Sequence, residues 1–218
     1  MSRGPGARGR AVAAGRRAAG GRPAGAGLSP APTRRLFFAV DPPPPVREDL
    51  DRALAPLRNA PGAPRWSTPE RWHLTLLFLG RVPEAQLPAL VAAAEPAVAA
   101  TPPLTLRLAD GGRFGSIRRP QVAWAGLDGD VDLLVALAGR LSVVARELGL
   151  PVEERPFRPH LTLGRWRPGR PGDGSLTDRL AGYRGPEWRV SEVRLEESRL
   201  GQAPTYEVVG SWPLADGP

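Results

Sequence analysis

The tetrapeptide His-Leu-Thr-Leu occurs twice in this chain, at residues 73–76 and 160–163, and the two copies hold its only two histidines. Each copy lies in an apolar, strand-like run, residues 72–79 for the first and 160–163 for the second. Successive side chains on a strand point to opposite faces. His73 and Thr75 then share one face, and Leu74 and Leu76 share the other. His160 and Thr162 stand in the same way against Leu161 and Leu163. A fold that holds both strands must bury the leucines and present an imidazole and a hydroxyl from each. Laid side by side, the strands place a proton donor, a proton acceptor and two hydrogen-bond donors around a small anion. Imidazole is the side chain best suited to trade protons near neutrality, so the pattern predicts paired acid/base chemistry.

Composition narrows the chemistry. Among 218 residues there is no cysteine, which excludes disulfides and thiolate metal sites. All 30 basic residues are arginine, which excludes a P-loop lysine, a Schiff base and a lysyl-adenylate nucleophile. No His-x-His or His-x-x-x-His spacing exists. Neither a metal nor a cofactor is expected. No apolar stretch approaches the length of a membrane helix, so no membrane partner is expected, and the chain reads as a cytoplasmic monomer.

The net charge of +8 is unevenly placed. Residues 1–33 carry six arginines and no acid, while the remaining 24 arginines face 22 carboxylates. The first 33 residues hold almost no large apolar side chain and cannot offset their ordering entropy. They are expected to be a disordered extension before a folded body at 34–218, dispensable or an over-called start, with a targeting peptide and a weak RNA-binding segment as the competing readings.

Along the body, residues 35–40 read as a buried strand and the prolines at 42–45 as the start of a helix reaching residue 57. A short strand at 65–66 precedes the first histidine strand, which Gly80 is expected to end. A helix follows over 83–100. Strands at 104–108 and 122–124 flank an expected loop, 111–120. Residues 130–148 give the strongest helical pattern, with Val131, Leu134, Val135, Ala138, Leu141, Ala145 and Leu148 on one stripe and Gly149 as its cap. After the second histidine strand come a loop at 165–175, a short helix at 176–180 and strands at 188–197 and 206–212. Each histidine strand is preceded by a helix and a loop. That weak duplication predicts two similar α+β lobes with a strand-lined cleft between them.

Phe114 and Trp124 flank the mid-chain loop, where a nucleobase can stack. Arg118, Arg119, Arg165, Arg167 and Arg170 read first as solvated loop charges, with phosphate contact as the alternative.

Together these residues resemble the two-histidine (2H) phosphoesterase superfamily, whose signature is two His-x-Thr/Ser-x motifs. The opening Arg35-Leu-Phe-Phe-Ala-Val-Asp41, the segments Trp72–Gly80 and Phe157–Arg165 and the closing Glu197-Ser-Arg-Leu-Gly201 are similar to its bacterial and archaeal RNA 2′,3′-cyclic phosphodiesterases, also called 2′-5′ RNA ligases. The resemblance implies a bilobal α+β fold, with two antiparallel sheets and outer helices around a central cleft in pseudo-two-fold relation. It implies a metal-free site acting on RNA or a nucleotide that ends in a 2′,3′-cyclic phosphate, opened to a 2′-phosphate. His73 takes the part of acid and His160 that of base. Thr75 and Thr162 are suited to hold the phosphate oxygens. Arg165 matches a family position, yet its parity brings it to the same face only if the strand bulges at Gly164. Two other activities fit the same residues: joining of a 5′-hydroxyl to the cyclic phosphate, and non-catalytic binding of RNA ends.

Overall fold

The computed structural model describes residues 31–218 apart from 154, 200, 202–204 and 216–218. The expected tail lies outside the described residues except for its last three, and Thr33 already opens the first strand. Residues 31–218 form one compact unit. In chain order they fold into β1 (Thr33–Val40), α1 (Pro44–Leu54), β2 (Arg65–Trp66), β3 (Leu74–Pro83), α2 (Leu87–Ala99), β4 (Thr105–Gly115), β5 (Pro120–Gly129), α3 (Val131–Glu147), β6 (Leu161–Arg165), β7 (Arg184–Arg189), β8 (Glu192–Arg199) and β9 (Thr205–Pro213).

All strand pairs are antiparallel, in the order β7-β4-β5-β6-β3-β1-β8-β9. The two expected sheets meet through a single residue pair, Leu74↔Leu161, and so make one nine-stranded sheet of two halves. The contact is this short because β2 takes the rest of that edge of β6, with Arg65 opposite Arg165 and Trp66 opposite Gly164. About the Leu74–Leu161 pair the halves correspond: β3 to β6, β1 to β5, β8 to β4 and β9 to β7. The helices follow the same relation. α1, which leaves β1, packs on β7 of the other half, and α3, which leaves β5, packs on β3.

Local chemistry accounts for the elements. Pro44 and Pro45 occupy the first turn of α1, where a missing N–H costs no helical bond. Val46, Leu50 and Leu54 then face the core. α3 ends in a Schellman arrangement: the N–H of Leu150 donates to the Ala145 carbonyl and that of Gly149 to Arg146, with Gly149 at φ +70°. Its buried stripe runs Leu134, Leu137, Ala138, Leu141, Ala145. Val135, expected inside, is 40% exposed, because Leu137 rather than Val135 meets the sheet. The segment 176–180 is a 3₁₀ helix that begins at Gly174.

Three strand boundaries depart from the sequence reading. β3 continues through Gly80 to Pro83, because β1 supplies ladder partners as far as Thr33. The expected loop at 111–120 is mostly hairpin. A Cβ on Gly111 would lie 2.5 Å from Leu180 Cβ, and one on Gly112 would lie 2.3 Å from Trp124 Cζ2. These glycines mark close packing within a strand rather than a turn. The run 188–197 is two strands, β7 and β8, which pair with β4 and β1 in different halves.

Candidate active site

Leu74, Leu76, Leu161 and Leu163 are all buried at 3% exposure or less, so the parity read from the two tetrapeptides holds. Both histidines sit one residue before their strands, next to the seam. In antiparallel register, extending Leu74↔Leu161 by one step in each direction sets His73 across from Thr162 and Thr75 across from His160. Each histidine thus stands opposite the threonine of the other motif in register.

The two rings are held alike. His73 Nδ1 lies 3.1 Å from the Arg71 carbonyl oxygen and His160 Nδ1 lies 2.7 Å from that of Arg158, each two residues back. A carbonyl only accepts, so both Nδ1 atoms carry hydrogen and Nε2 is left as the proton-trading nitrogen. Aromatic rings fix the remaining freedom. His73 packs against Phe37 at 4.8 Å between centroids and meets Tyr206 edge-on at 5.0 Å. His160 meets Phe114 edge-on at 4.9 Å. Burial, aided by repulsion from His160, pulls His73 down to about 4 against the opposing pull of the Arg71 carbonyl.

A cavity of about 1060 Å³ opens beside the seam. His73, Thr75, Thr162 and Arg165 line it, together with Tyr206 and Trp66, and among the described residues no carboxylate does. His160 stands outside that lining, two residues before Thr162. Arg165 reaches the cavity by the route its parity required. The β5–β6 ladder steps from Ala123↔Gly164 to Trp124↔Thr162, so β6 carries one extra residue there. Leu163 and Gly164 are both buried and Arg165 emerges exposed. Only glycine fits at 164, since a Cβ would stand 2.8 Å from the Arg65 carbonyl oxygen of β2.

The expected base-stacking pair is not brought into the cavity. Phe114 leans its ring on His160, and Trp124 packs 5.9 Å from Phe114 and over Gly112. Phe37 and Tyr206, the walls of His73, escaped the sequence reading, because Phe37 reads as a buried-strand residue, Tyr206 lies in no motif, and both reach the site from strands far from His73 in sequence. Behind Phe37, its β8 partner Glu196 is 4% exposed. Burial, and next the nearby Asp41 carboxylate, push Glu196 up to about 7. Among the described residues, no group of three His, Cys, Asp or Glu side chains gathers to hold a metal ion.

Comparison with known proteins agrees with this geometry. Residues 40–124 match the family described as LigT like Phosphoesterase. An RNA 2′,3′-cyclic phosphodiesterase of Thermus thermophilus is 33% identical over 187 residues, covering 83% of this chain and 90% of that protein. One from Geobacillus stearothermophilus is 30% identical over 154 residues; the match covers 70% of this chain but spans only 48% of that longer protein. The crystal structure of E. coli LigT complexed with 3′-AMP superposes with a TM-score of 0.68 at 29% identity, over 85% of this chain and 100% of that one. With two His-Leu-Thr-Leu motifs paired across one seam and a relative matched over nine-tenths of its length, the chain belongs to the RNA 2′,3′-cyclic phosphodiesterase family of 2H phosphoesterases.

Proposed function

We propose that this protein hydrolyses the 2′,3′-cyclic phosphate of an RNA end or a nucleotide to a 2′-phosphomonoester. The observation that carries the reading is the matched pair of imidazoles, each tied through Nδ1 to the carbonyl two residues back. Water attacks phosphorus, the bond from phosphorus to the 3′ oxygen breaks, and the phosphate stays on the 2′ oxygen. His160 Nε2 takes the proton of the attacking water. His73 Nε2–H gives its proton to the departing 3′ oxygen. Each transfer is typically worth about 10²–10⁴-fold in rate. Thr75 and Thr162 donate to the non-bridging oxygens from the two sides of the seam, and the guanidinium of Arg165 adds a charge-assisted contact.

The environment of His73 suits the acid's part. Burial holds it unprotonated in the empty cleft. An anionic phosphate beside it favours the imidazolium, so the acid takes up its proton as substrate arrives. A strongly acidic imidazolium then faces the leaving alkoxide. The test is incubation with a cyclic mononucleotide and identification of the product. A 2′-phosphate as sole product supports the reading; a 3′-phosphate, or no turnover, overturns it. A substrate with sulfur in place of the bridging 3′ oxygen separates the roles. Its leaving group needs no proton, so it restores turnover to His73→Ala and leaves His160→Ala inactive.

A further inference from the structure

The histidine face accounts for one phosphate, but the cavity beside it carries charge for several. Arg118, Arg119, Arg165, Arg167 and Arg170 all line it. Among the described residues none of the five makes an ion pair or side-chain hydrogen bond, and no carboxylate shares the lining. Elsewhere arginines on the same sheet are paired: Arg34 with Glu197, Arg113 with Asp178, Arg194 with Asp41. The body as a whole is nearly neutral, 24 arginines against 22 carboxylates, and none of the acids among the described residues lines this concavity. Clustered like charges in a cleft repel unless an anion joins them and focus the field on whatever anion enters. A single cyclic phosphodiester brings one negative charge, which Arg165 and the protonated histidine already meet.

The backbone under these arginines is pinned. Arg118 and Arg119 cap the β4–β5 turn, where Gly115 at φ +89° brings its Cα side against the Arg119 carbonyl and Ser116 Oγ accepts from the Arg119 N–H at 3.0 Å. The tip is docked from outside by a bond of 3.0 Å from the Gly174 N–H to the Ile117 carbonyl. Arg167 and Arg170 close their own turn, the Arg170 N–H donating to the Arg167 carbonyl at 3.2 Å. That turn is anchored by Trp166, whose N–H donates to Gln121 O at 3.0 Å and whose Nε1–H donates to Gly62 O at 2.7 Å. Two fixed turns thus hold four cations in place beside the catalytic face.

We infer that the concavity between the β4–β5 turn and the 166–171 loop is a track for the phosphates of a single RNA strand running in the 5′ direction from the cyclic end, so that the preferred substrate is an oligonucleotide rather than a cyclic mononucleotide. This rests on the hydrolase reading above. A 2′,3′-cyclic phosphate closes the 3′ end of a chain, so every further phosphate of that substrate lies on its 5′ side. Guanidinium groups on fixed turns bind such phosphates without reading sequence.

The experiment compares kcat/KM for a cyclic mononucleotide, the same mononucleotide bearing a 5′-triphosphate, and tetranucleotides with a 2′,3′-cyclic end, using the full chain and the pairs R118A/R119A and R167A/R170A. The wild type is expected to favour the tetranucleotide about tenfold or more at low salt. Each pair should lose most of that preference while staying within about twofold of wild type on the plain mononucleotide, which also shows that the fold is intact. The log–log salt dependence for the tetranucleotide should flatten by about 0.7 for every phosphate contact removed. Equal rates on mononucleotide and tetranucleotide overturn the track. So does an equal loss on both substrates. A 5′-triphosphorylated mononucleotide matching the tetranucleotide replaces it with a polyphosphate site. If no substrate turns over, the hydrolase reading fails by itself. Fluorescence anisotropy of the same tetranucleotide on the same variants then decides the track: weakened binding in both pairs upholds it and unchanged binding removes it.

Discussion

Leu74 and Leu161 are Cα partners across the seam, the single pair that joins the two halves of the sheet. Because the strands run antiparallel, this pair sets each histidine opposite the other motif's threonine in register. On the proposed mechanism the chemistry is shared between the halves rather than duplicated within each.

His73→Ala and His160→Ala should each lower kcat by at least about 10²-fold, the minimum expected when a general acid or base is lost. Groups that act as a unit are strongly non-additive, so the double variant should be barely worse than either single one. Steady-state kinetics with thermal melts as a folding control decide this. A single variant that keeps more than about a tenth of wild-type kcat would falsify paired catalysis.

Thr75→Ala and Thr162→Ala should lower kcat by about 10²–10³-fold, the usual loss of an oxyanion donor. Threonine does not titrate, so the limbs of the pH profile should stay in place while its height drops. Loss of a whole limb with the plateau preserved would mean that the hydroxyl tunes an imidazole instead.

His73 should titrate near 4 in the empty protein, well below an ordinary imidazole, because burial opposes its charge. Sulfate, an anion that does not itself titrate in this range, should raise that value by about one unit or more. By linkage, sulfate binding then takes up protons between the two values and tightens as pH falls through them. NMR of the imidazole with and without sulfate measures both effects, and a His73 resonance indifferent to sulfate refutes the coupling of proton and anion.

Glu196→Gln should stabilise the protein at pH 8 and do little at pH 4. The folded carboxyl titrates near 7, above the ordinary 4.5. Between these values the folded state holds the proton more tightly than the unfolded one, so the glutamate's contribution is fully present below about 4.5 and is lost as pH rises through 7. A neutral amide of the same shape removes that loss, worth about 1–3 kcal/mol. Melts across pH read it directly; equal shifts at both pH values would contradict a buried, protonated glutamate.

The face proposed for catalysis was legible as a face because it rests on local parity, which the buried leucines of both motifs bear out. Two residues of alternation placed His73, Thr75, His160 and Thr162 on one face, and the one-residue bulge at Gly164 was required by the position of Arg165. What sequence did not show depends on distance along the chain. Phe37 and Tyr206 meet His73 from β1 and β9, and no local pattern reports a contact between strands so far apart. Gly111 and Gly112 carry the same composition as a turn, and only the side chains lying over them, Leu180 on the first and the Trp124 ring on the second, reveal a strand. Phe114 meets His160 edge-on and Trp124 packs against Phe114, and like His160 neither is among the residues that line the cavity.

The exchange of helices between halves reaches beyond the cleft. From β1 the chain goes over to the other half for α1 and β2, returns for β3 and α2, crosses again for β4 and β5, comes back for α3, leaves for β6 and β7, and ends in β8 and β9. Along the described elements the polypeptide crosses between the halves six times, even though their strands pair at one point. No single cut yields two pieces that each own their sheet and the helix that covers it. A gene encoding either half would make a chain with a naked sheet face, and unfolding of one half drags the other with it in a single cooperative transition.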